Sequence, residues 1–156
     1  MNRELEALAR SYARLSHDVG GRISFACDLD DENALNAAEQ EKALLDQAFF
    51  ILGFAALEKH VTLLACIRLA DAARRTSMRD APFDRRWLTS VTIAEEILQK
   101  DVSWKAAERE VGSWYKIRSA IAHGQSPSQL ADVPRVLYRA DEIAATLEEV
   151  TRELDV

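Results

Sequence analysis

The chain has 156 residues, is 48% hydrophobic and carries a formal net charge of −6. This length predicts a single domain over residues 1–156 with a substantial core. Five glycines and three prolines are too few for the frequent turns of an all-β sandwich, and the acidic balance disfavours a protein that binds duplex nucleic acid through overall positive charge.

The first half of the chain predicts two helices. The first has an apolar stripe at steps of three and four residues, from Leu5 to Ala26. The second is long, running from about 33 to 75, and its run of apolar residues at 48–57 predicts a central, mostly buried helix. That run is too short to cross a bilayer, which needs about 20 residues. The positions predicted to face inward are Leu35, Ala38, Leu45, Phe49, Leu52, Ala56, Val61, Leu64 and Ile67.

Two further helices follow a predicted loop. Residues 76–83 are the clearest loop of the chain, and a third helix is predicted over 84–100. Asp101 or Ser103 is a suitable N-cap for a fourth helix that runs to about His123.

The last predicted helix has the most regular pattern. Gly124 is a natural residue to follow the fourth helix, and Asp132 is a suitable cap for the fifth, which has Pro134 in its first turn. Its apolar stripe consists of Val136, Ala140, Ile143, Leu147, Val150 and Leu154. The fold class predicted from these elements is all-α, a compact antiparallel bundle of about five helices.

Charge is unevenly distributed along the chain. Residues 28–46 hold seven acidic residues against one lysine, a net charge of −6, whereas residues 68–86 hold six arginines against three aspartates, a net charge of +3. The arginine-rich stretch is interpreted as a solvated surface, and the alternative is a patch that faces an anion.

One stretch near the end of the fourth helix carries a known pattern. Arg118 is followed by four residues and then by His123, with Ser119 directly after the arginine and Gly124 directly after the histidine. This arrangement resembles the R-x4–6-H motif of the HEPN superfamily, small all-helical domains of which many are metal-independent ribonucleases. The motif of that family closes the penultimate long helix, as here, so the resemblance implies an HEPN-like bundle.

A second match and one departure bear on this resemblance. Arg10 and His17 also fit the spacing, but they lie within the first helix with no glycine directly after the histidine, and we treat that pair as a chance match. HEPN toxins that pair with nucleotidyltransferase antitoxins continue H-x-Y, and Gln125 stands here in the place of the tyrosine. That difference argues against membership of this branch.

Geometry sets a condition on the predicted pair. Residues five apart on a straight helix point about 140° apart, so Arg118 and His123 converge only if the helix ends at Ala122 or if a two-fold axis brings two copies together. Tyr115, Ser119 and His123 are spaced by four residues and line one face.

The predicted chemistry is RNA cleavage with His123 and Arg118 as catalytic residues. Histidine has the chemistry to accept the proton of a 2′-hydroxyl or to protonate the leaving 5′-oxygen, and a guanidinium holds a negatively charged phosphorane through two hydrogen bonds. Ser119 and Tyr115 are expected in supporting roles. The resemblance implies no metal and no cofactor, and products with a 2′,3′-cyclic phosphate and a 5′-hydroxyl.

The predicted function is therefore a cytoplasmic, HEPN-type endoribonuclease, a toxin or defence effector that has RNA as its substrate and does not bind a membrane. A homodimer is expected through Trp114, Ile117 and Ile121, and an antitoxin or regulatory protein is a further possible partner. The alternative is a non-catalytic helical interaction or regulatory module, a class to which the acidic charge is well suited.

Each site residue also has a purely structural interpretation. His123 near a helix C-terminus stabilises the helix dipole, Arg118 forms a surface ion pair, and Tyr115 lies at the edge of the core. Glu58 and His60 interrupt the apolar second helix. They form either a second polar site or, more commonly for such a pair, the part of the helix that reaches solvent.

Overall fold

The computed structural model describes residues 2–98, 104–125, 127 and 132–154, and within them the chain is helical with no strand. The all-α prediction is confirmed. The described helices are α1 (Arg3–Asp28), α2 (Glu32–Ile67), α3 (Ala72–Arg79), α4 (Phe83–Leu98), α5 (Trp104–Ala122) and α6 (Val133–Leu154).

Helices α1 and α2 form an antiparallel pair. An ion pair joins Glu4, at the start of α1, to Lys59, in the second half of α2, at 3.2 Å. Another joins Arg22, near the end of α1, to Glu41, near the start of α2, at 2.7 Å. The reversal between the helices places Asp30 at a positive φ of 57°.

A polar cluster joins the middle of these two helices. The Tyr12 hydroxyl donates to Asp46 Oδ1 at 2.8 Å, and Lys42 Nζ donates to the same carboxylate at 2.5 Å and to the tyrosine oxygen at 3.1 Å. Burial lowers the pKa of Lys42, but the hydrogen bonds to Asp46 and Tyr12 outweigh it, so the pKa lies above its ordinary value.

The second predicted helix is interrupted, and this part of the prediction is wrong. Helix α2 ends at Ile67, and Asp71 begins a new helix, α3, by accepting a hydrogen bond from the backbone N–H of Ala73 at 2.9 Å. The predicted loop at 76–83 is therefore mostly helical, and the described residues contain six helices instead of about five.

The later helices follow the predicted boundaries closely. Helix α4 covers most of the predicted segment at 84–100, whereas the predicted caps Asp101 and Ser103 and most of the loop before Asp132 lie outside the described residues. Helix α6 begins directly after Asp132, whose carbonyl accepts from the N–H of Val136 at 2.9 Å. The predicted α6 stripe is buried, apart from a half-buried Leu154.

Helix α2 lies at the centre of the core, with Phe50, Phe54 and Leu57 fully buried. It approaches α6 closely at Gly53, where a Cβ atom would lie 2.5 Å from Leu137 Cδ2. Among the described residues, α2 alone is long and apolar enough to cross a membrane by length and composition, and half of that stretch is buried against the rest of the fold. Such burial is typical of a core helix.

Leu52 was predicted to face inward but is exposed.

Candidate active site at the end of helix α5

Helix α5 ends in a capped turn built around Gly124. This glycine has φ +70°, a conformation that side-chain-bearing residues rarely adopt. Its N–H donates to the carbonyl of Ile121 at 2.9 Å, and the N–H of Gln125 donates to the carbonyl of Ala120 at 2.9 Å. These two bonds are those of a Schellman motif, which satisfies carbonyls that the end of a helix would leave free. His123 is the first residue after the helix and lies within this turn.

Helix α5 ends at Ala122, the boundary that was required for Arg118 and His123 to converge. The N–H of His123 still donates to the carbonyl of Ser119 at 3.1 Å, as in a continuing helix, so the convergence of the two side chains stays a prediction. His123 is exposed and Arg118 is half-buried. Within the described part of the chain, neither side chain has a hydrogen-bond or ion-pair partner. Both therefore remain available to a ligand, and the predicted surface ion pair of Arg118 is not formed there.

The supporting residues connect this end to the core. The Tyr115 ring stacks on Phe83, with centroids 5.2 Å apart and planes 20° apart, and lies 6.3 Å from the ring of Phe54. Ser119 is half-buried, and its carbonyl accepts from the N–H of His123 at 3.1 Å. Tyr115 and Ser119 are both half-buried and His123 is exposed, so the predicted face runs from the edge of the core to solvent.

The apolar residues of α5 are largely used within the subunit. Trp114 is only 5% exposed, and Ile117 and Ile121 pack against the core while remaining half-buried. A two-fold contact through these residues was expected from the sequence. Ile117 and Ile121 keep part of their surface exposed, so a two-fold contact through α5 stays a prediction.

Glu58 and His60 do not share a site, because they point to different neighbours. Glu58 pairs with Arg86 of α4 at 2.5 Å, and the two side chains are 22% and 12% exposed. Arg86 also donates to Thr62 Oγ1 at 2.6 Å and to the carbonyl of Ala81 at 3.1 Å. Glu58 is therefore part of a structural cluster that joins α2 to α4, and it reaches solvent only in part.

His60 belongs to a cluster that ties the start of α1 to α6. Asn2 Nδ2 lies 2.8 Å from His60 Nε2 and donates to Glu148 Oε1 at 2.6 Å. The Asn2 backbone N–H donates to Asp141 Oδ1 at 2.6 Å, and its side-chain oxygen caps α1 by accepting from Glu4 and Leu5. Asn2 was not identified from the sequence. Its position before an amphipathic helix was the available signal.

Arginines between α5 and α6 were also missed. A groove of about 830 Å³ lies between these helices, and Arg109, Arg135 and Arg139 line it. Arg139 is held by Glu110 at 2.9 Å and by Glu142, and hydrogen bonds to these two carboxylates raise its pKa. The i, i+4 spacing of Arg135 and Arg139 was the signal in the sequence.

Comparison of the chain with protein-family models, curated proteins and solved structures yields no match. Within the described residues, no group of three or more His, Cys, Asp or Glu side chains is placed to hold a metal ion.

Proposed function

We propose that this chain is a metal-independent endoribonuclease of HEPN type that acts as a toxin or defence effector. The observation that carries the proposal is the end of α5, where Arg118 lies near the end of the helix and His123 lies in the Gly124-capped turn that follows it. Both side chains lack partners within the described residues. The R-x4-H resemblance and the all-helical fold agree with this function.

The proposed reaction is an intramolecular transfer of the phosphodiester. The His123 imidazole accepts the proton of the 2′-hydroxyl, and the 2′-oxygen attacks the phosphorus. The bond from phosphorus to the 5′-oxygen breaks, and the imidazolium returns the proton to that oxygen. The products are a 2′,3′-cyclic phosphate and a 5′-hydroxyl.

Arg118 supplies the electrostatic part of this chemistry. Its guanidinium forms two charge-assisted hydrogen bonds to the non-bridging oxygens, whose negative charge grows in the transition state. Ser119, one residue further along α5, orients His123 or donates to a phosphate oxygen. Tyr115 fixes the helix against Phe83 and so holds the site on a rigid element.

The expected setting follows from the same resemblance. The protein acts on RNA in the cytoplasm as a homodimer, and an antitoxin or regulatory protein controls it. Arg109 of α5 and Arg135 of α6 line the groove between these helices. Arg135 lies 3.8 Å from Glu110, which leaves Arg109 as the arginine of this groove that is better suited to contact the RNA backbone.

The test is cleavage of total RNA in EDTA by the wild type and by His123→Ala, followed by analysis of the product ends. We expect cleavage by the wild type alone, with cyclic phosphate and 5′-hydroxyl ends. Growth arrest on expression, relieved by His123→Ala, is the corresponding result in cells. Equal cleavage by both proteins, or no cleavage and no arrest by the wild type, would leave the non-catalytic interaction module as the better description.

A further inference from the structure

A mostly apolar stripe on α2 faces outward, and its charged member, Lys59, pairs with Glu4 of α1 at 3.2 Å. Leu44, Leu52 and Leu63 are 66%, 48% and 54% exposed, and Ala48 and Ala55 between them are exposed as well. In chain order, the stripe consists of Leu44, Ala48, Leu52, Ala55, Lys59 and Leu63. Each follows the one before it by three or four residues, and at 100° per residue all six fall within an arc of about 100° around the helix. Exposed leucines that recur on one helix face are typical of an interaction surface.

We propose that this stripe is the contact surface of a homodimer in which the α2 helices of two copies pack antiparallel. The positions of the stripe are symmetric about a midpoint between Leu52 and Ala55. Leu44 and Leu63 are equally far from this point, and so are Ala48 and Lys59. A two-fold axis through the midpoint places each residue opposite its counterpart in the second copy, as an isologous interface requires.

The sizes of the opposed residues are complementary. Near the axis, Leu52 of each copy meets Ala55 of the other, so a large side chain faces a small one. At the two ends, Leu44 meets Leu63. The stripe extends over 19 residue steps, about 28 Å of helix, and a crossing angle near +20° keeps both ends in contact.

Surface shape agrees with this register. A depression of about 460 Å³ lies beside the second half of the stripe, between α2 and α3, and Ala55, Leu63 and Arg79 are among its lining residues. The leucines of the opposite half, Leu44 and Leu52 of the second copy, face this depression in the antiparallel arrangement.

The distribution of charge along the chain favours antiparallel packing of the two α2 helices over parallel packing. Residues 28–46, which include the start of α2, have a net charge of −6, whereas residues 68–86, which follow its end, have a net charge of +3. The arginines of α3 in this stretch are exposed. Antiparallel packing sets the acidic end of each copy against the arginine-rich end of the other, whereas parallel packing would set like charges together.

This interface leaves the end of α5 open. Phe54, the α2 residue that contacts Tyr115 of α5, points about 130° away from the middle of the stripe at 100° per residue. A second copy on the stripe is therefore far from that side of α2. Dimer formation can thus be measured independently of RNA cleavage.

The first test is the mass in solution at micromolar concentration, by light scattering after size exclusion. We expect a mass of twice 17.5 kDa for the wild type. Leu52→Glu places two carboxylates beside the axis and should raise the dissociation constant on the order of 100-fold, as expected for a central contact. Leu88→Glu is the matched control, because Leu88 is 65% exposed on α4; it should remain dimeric. Circular dichroism verifies that both variants are folded.

Three results would overturn the proposal. They are a monomeric wild type, a Leu52→Glu variant that stays dimeric, and dissociation by Ile121→Glu on α5 without dissociation by Leu52→Glu. Flotation of the monomeric wild type with lipid vesicles would assign the stripe to a membrane surface instead.

The second test reads the register by cross-linking. In a Cys27→Ser background, which removes the exposed native thiol, Leu44→Cys and Leu63→Cys are prepared separately and then mixed under oxidising conditions. We expect a disulfide-linked dimer in the mixture and none in either variant alone. Cross-linking of Leu44→Cys with itself would indicate parallel packing and contradict the proposed interface.

Discussion

Arg86 on α4 and Arg118 on α5 are both partly withdrawn from solvent, but their surroundings differ. Arg86 is held by Glu58, Thr62 and the carbonyl of Ala81, so its donors are used within the fold. Among the described residues, neither the Arg118 side chain nor the His123 side chain has such a partner. An arginine whose acceptors come from the protein stabilises the fold, whereas one without them remains available to an anion. Among the other arginines of the 68–86 stretch, Arg68 pairs with Glu96 and Arg75 donates to the carbonyl of Ala70, although both are exposed. Arg86 is the member of this stretch that the solvated-surface interpretation misplaced.

The largest effect expected from this comparison is that of His123→Ala on RNA cleavage. Loss of general acid–base help should lower the rate about 10²–10⁴-fold, while the melting temperature stays unchanged because His123 is exposed and makes no described side-chain bond. His17→Ala is the control, since His17 is also exposed and belongs to the chance match on α1. Loss of cleavage in His17→Ala, together with retained cleavage in folded His123→Ala, would mean that the wrong pair was chosen.

Arg118→Lys should lower the cleavage rate by roughly a hundredfold. Lysine keeps the charge but loses the planar fork that grips two phosphate oxygens. Urea unfolding should show little change, because Arg118 makes no described ion pair. A lysine variant that cleaves RNA at the wild-type rate would reduce the role of Arg118 to that of a simple positive charge.

The opposite pattern is expected for Arg86→Leu. Removing this guanidinium leaves the Glu58 carboxylate partly buried without its cation, which should lower the free energy of unfolding by about 3 kcal/mol. The cleavage rate per folded molecule should be unchanged. Arg85→Leu is the matched control, because Arg85 is the exposed neighbour on the same helix and should cost less than about 0.5 kcal/mol. Equal destabilisation by both variants would contradict a specific role for the Glu58 cluster.

Gly124→Ala should produce the smallest effect. A Cβ atom there meets no neighbour within 4 Å, but φ is +70°, so the cost is backbone strain of about 1 kcal/mol. Gly112→Ala provides the contrast: Gly112 lies inside α5 and also has open space around a Cβ atom. It should stabilise the protein by about 0.5–1 kcal/mol. Urea unfolding should show a lower free energy of unfolding for Gly124→Ala and a higher one for Gly112→Ala. A change of the same sign in both variants would contradict this prediction.

The parts of the fold that were predictable from the sequence are those set by local periodicity. The α6 stripe repeats at helical spacing, and its residues Val136 to Val150 are buried as predicted. The break between α2 and α3 was missed because neither glycine nor proline marks it. The start of a new helix depends on a hydrogen bond from the backbone N–H of Ala73 to the Asp71 carboxylate, and this bond is visible only in the structure. Leu52 was assigned inward because an all-apolar segment does not reveal which of its faces is left uncovered.

The same distinction applies to the site. The end of α5 was predictable because Gly124 gives a local signal for a helix C-terminus. The pairing of Glu58 with Arg86 was not predictable, because the two residues are 28 positions apart and no local pattern links a glutamate on one helix to an arginine on another. Tertiary packing decides which arginine has a carboxylate partner. The sequence therefore singled out Arg118 through its motif, but it did not distinguish Arg86 from the other arginines of the 68–86 stretch.

The close approach of Gly53 on α2 to Leu137 on α6 has a consequence for the order of folding. Helix α6 is synthesised after the other five described helices, and its buried face covers the central segment of α2. Until α6 leaves the ribosome, Phe50, Phe54 and Leu57 lack part of their final cover, and the Asn2 contacts to Asp141 and Glu148 cannot form. A nascent chain at this stage exposes apolar surface of the kind that chaperones bind, and premature termination before α6 would yield an aggregation-prone product.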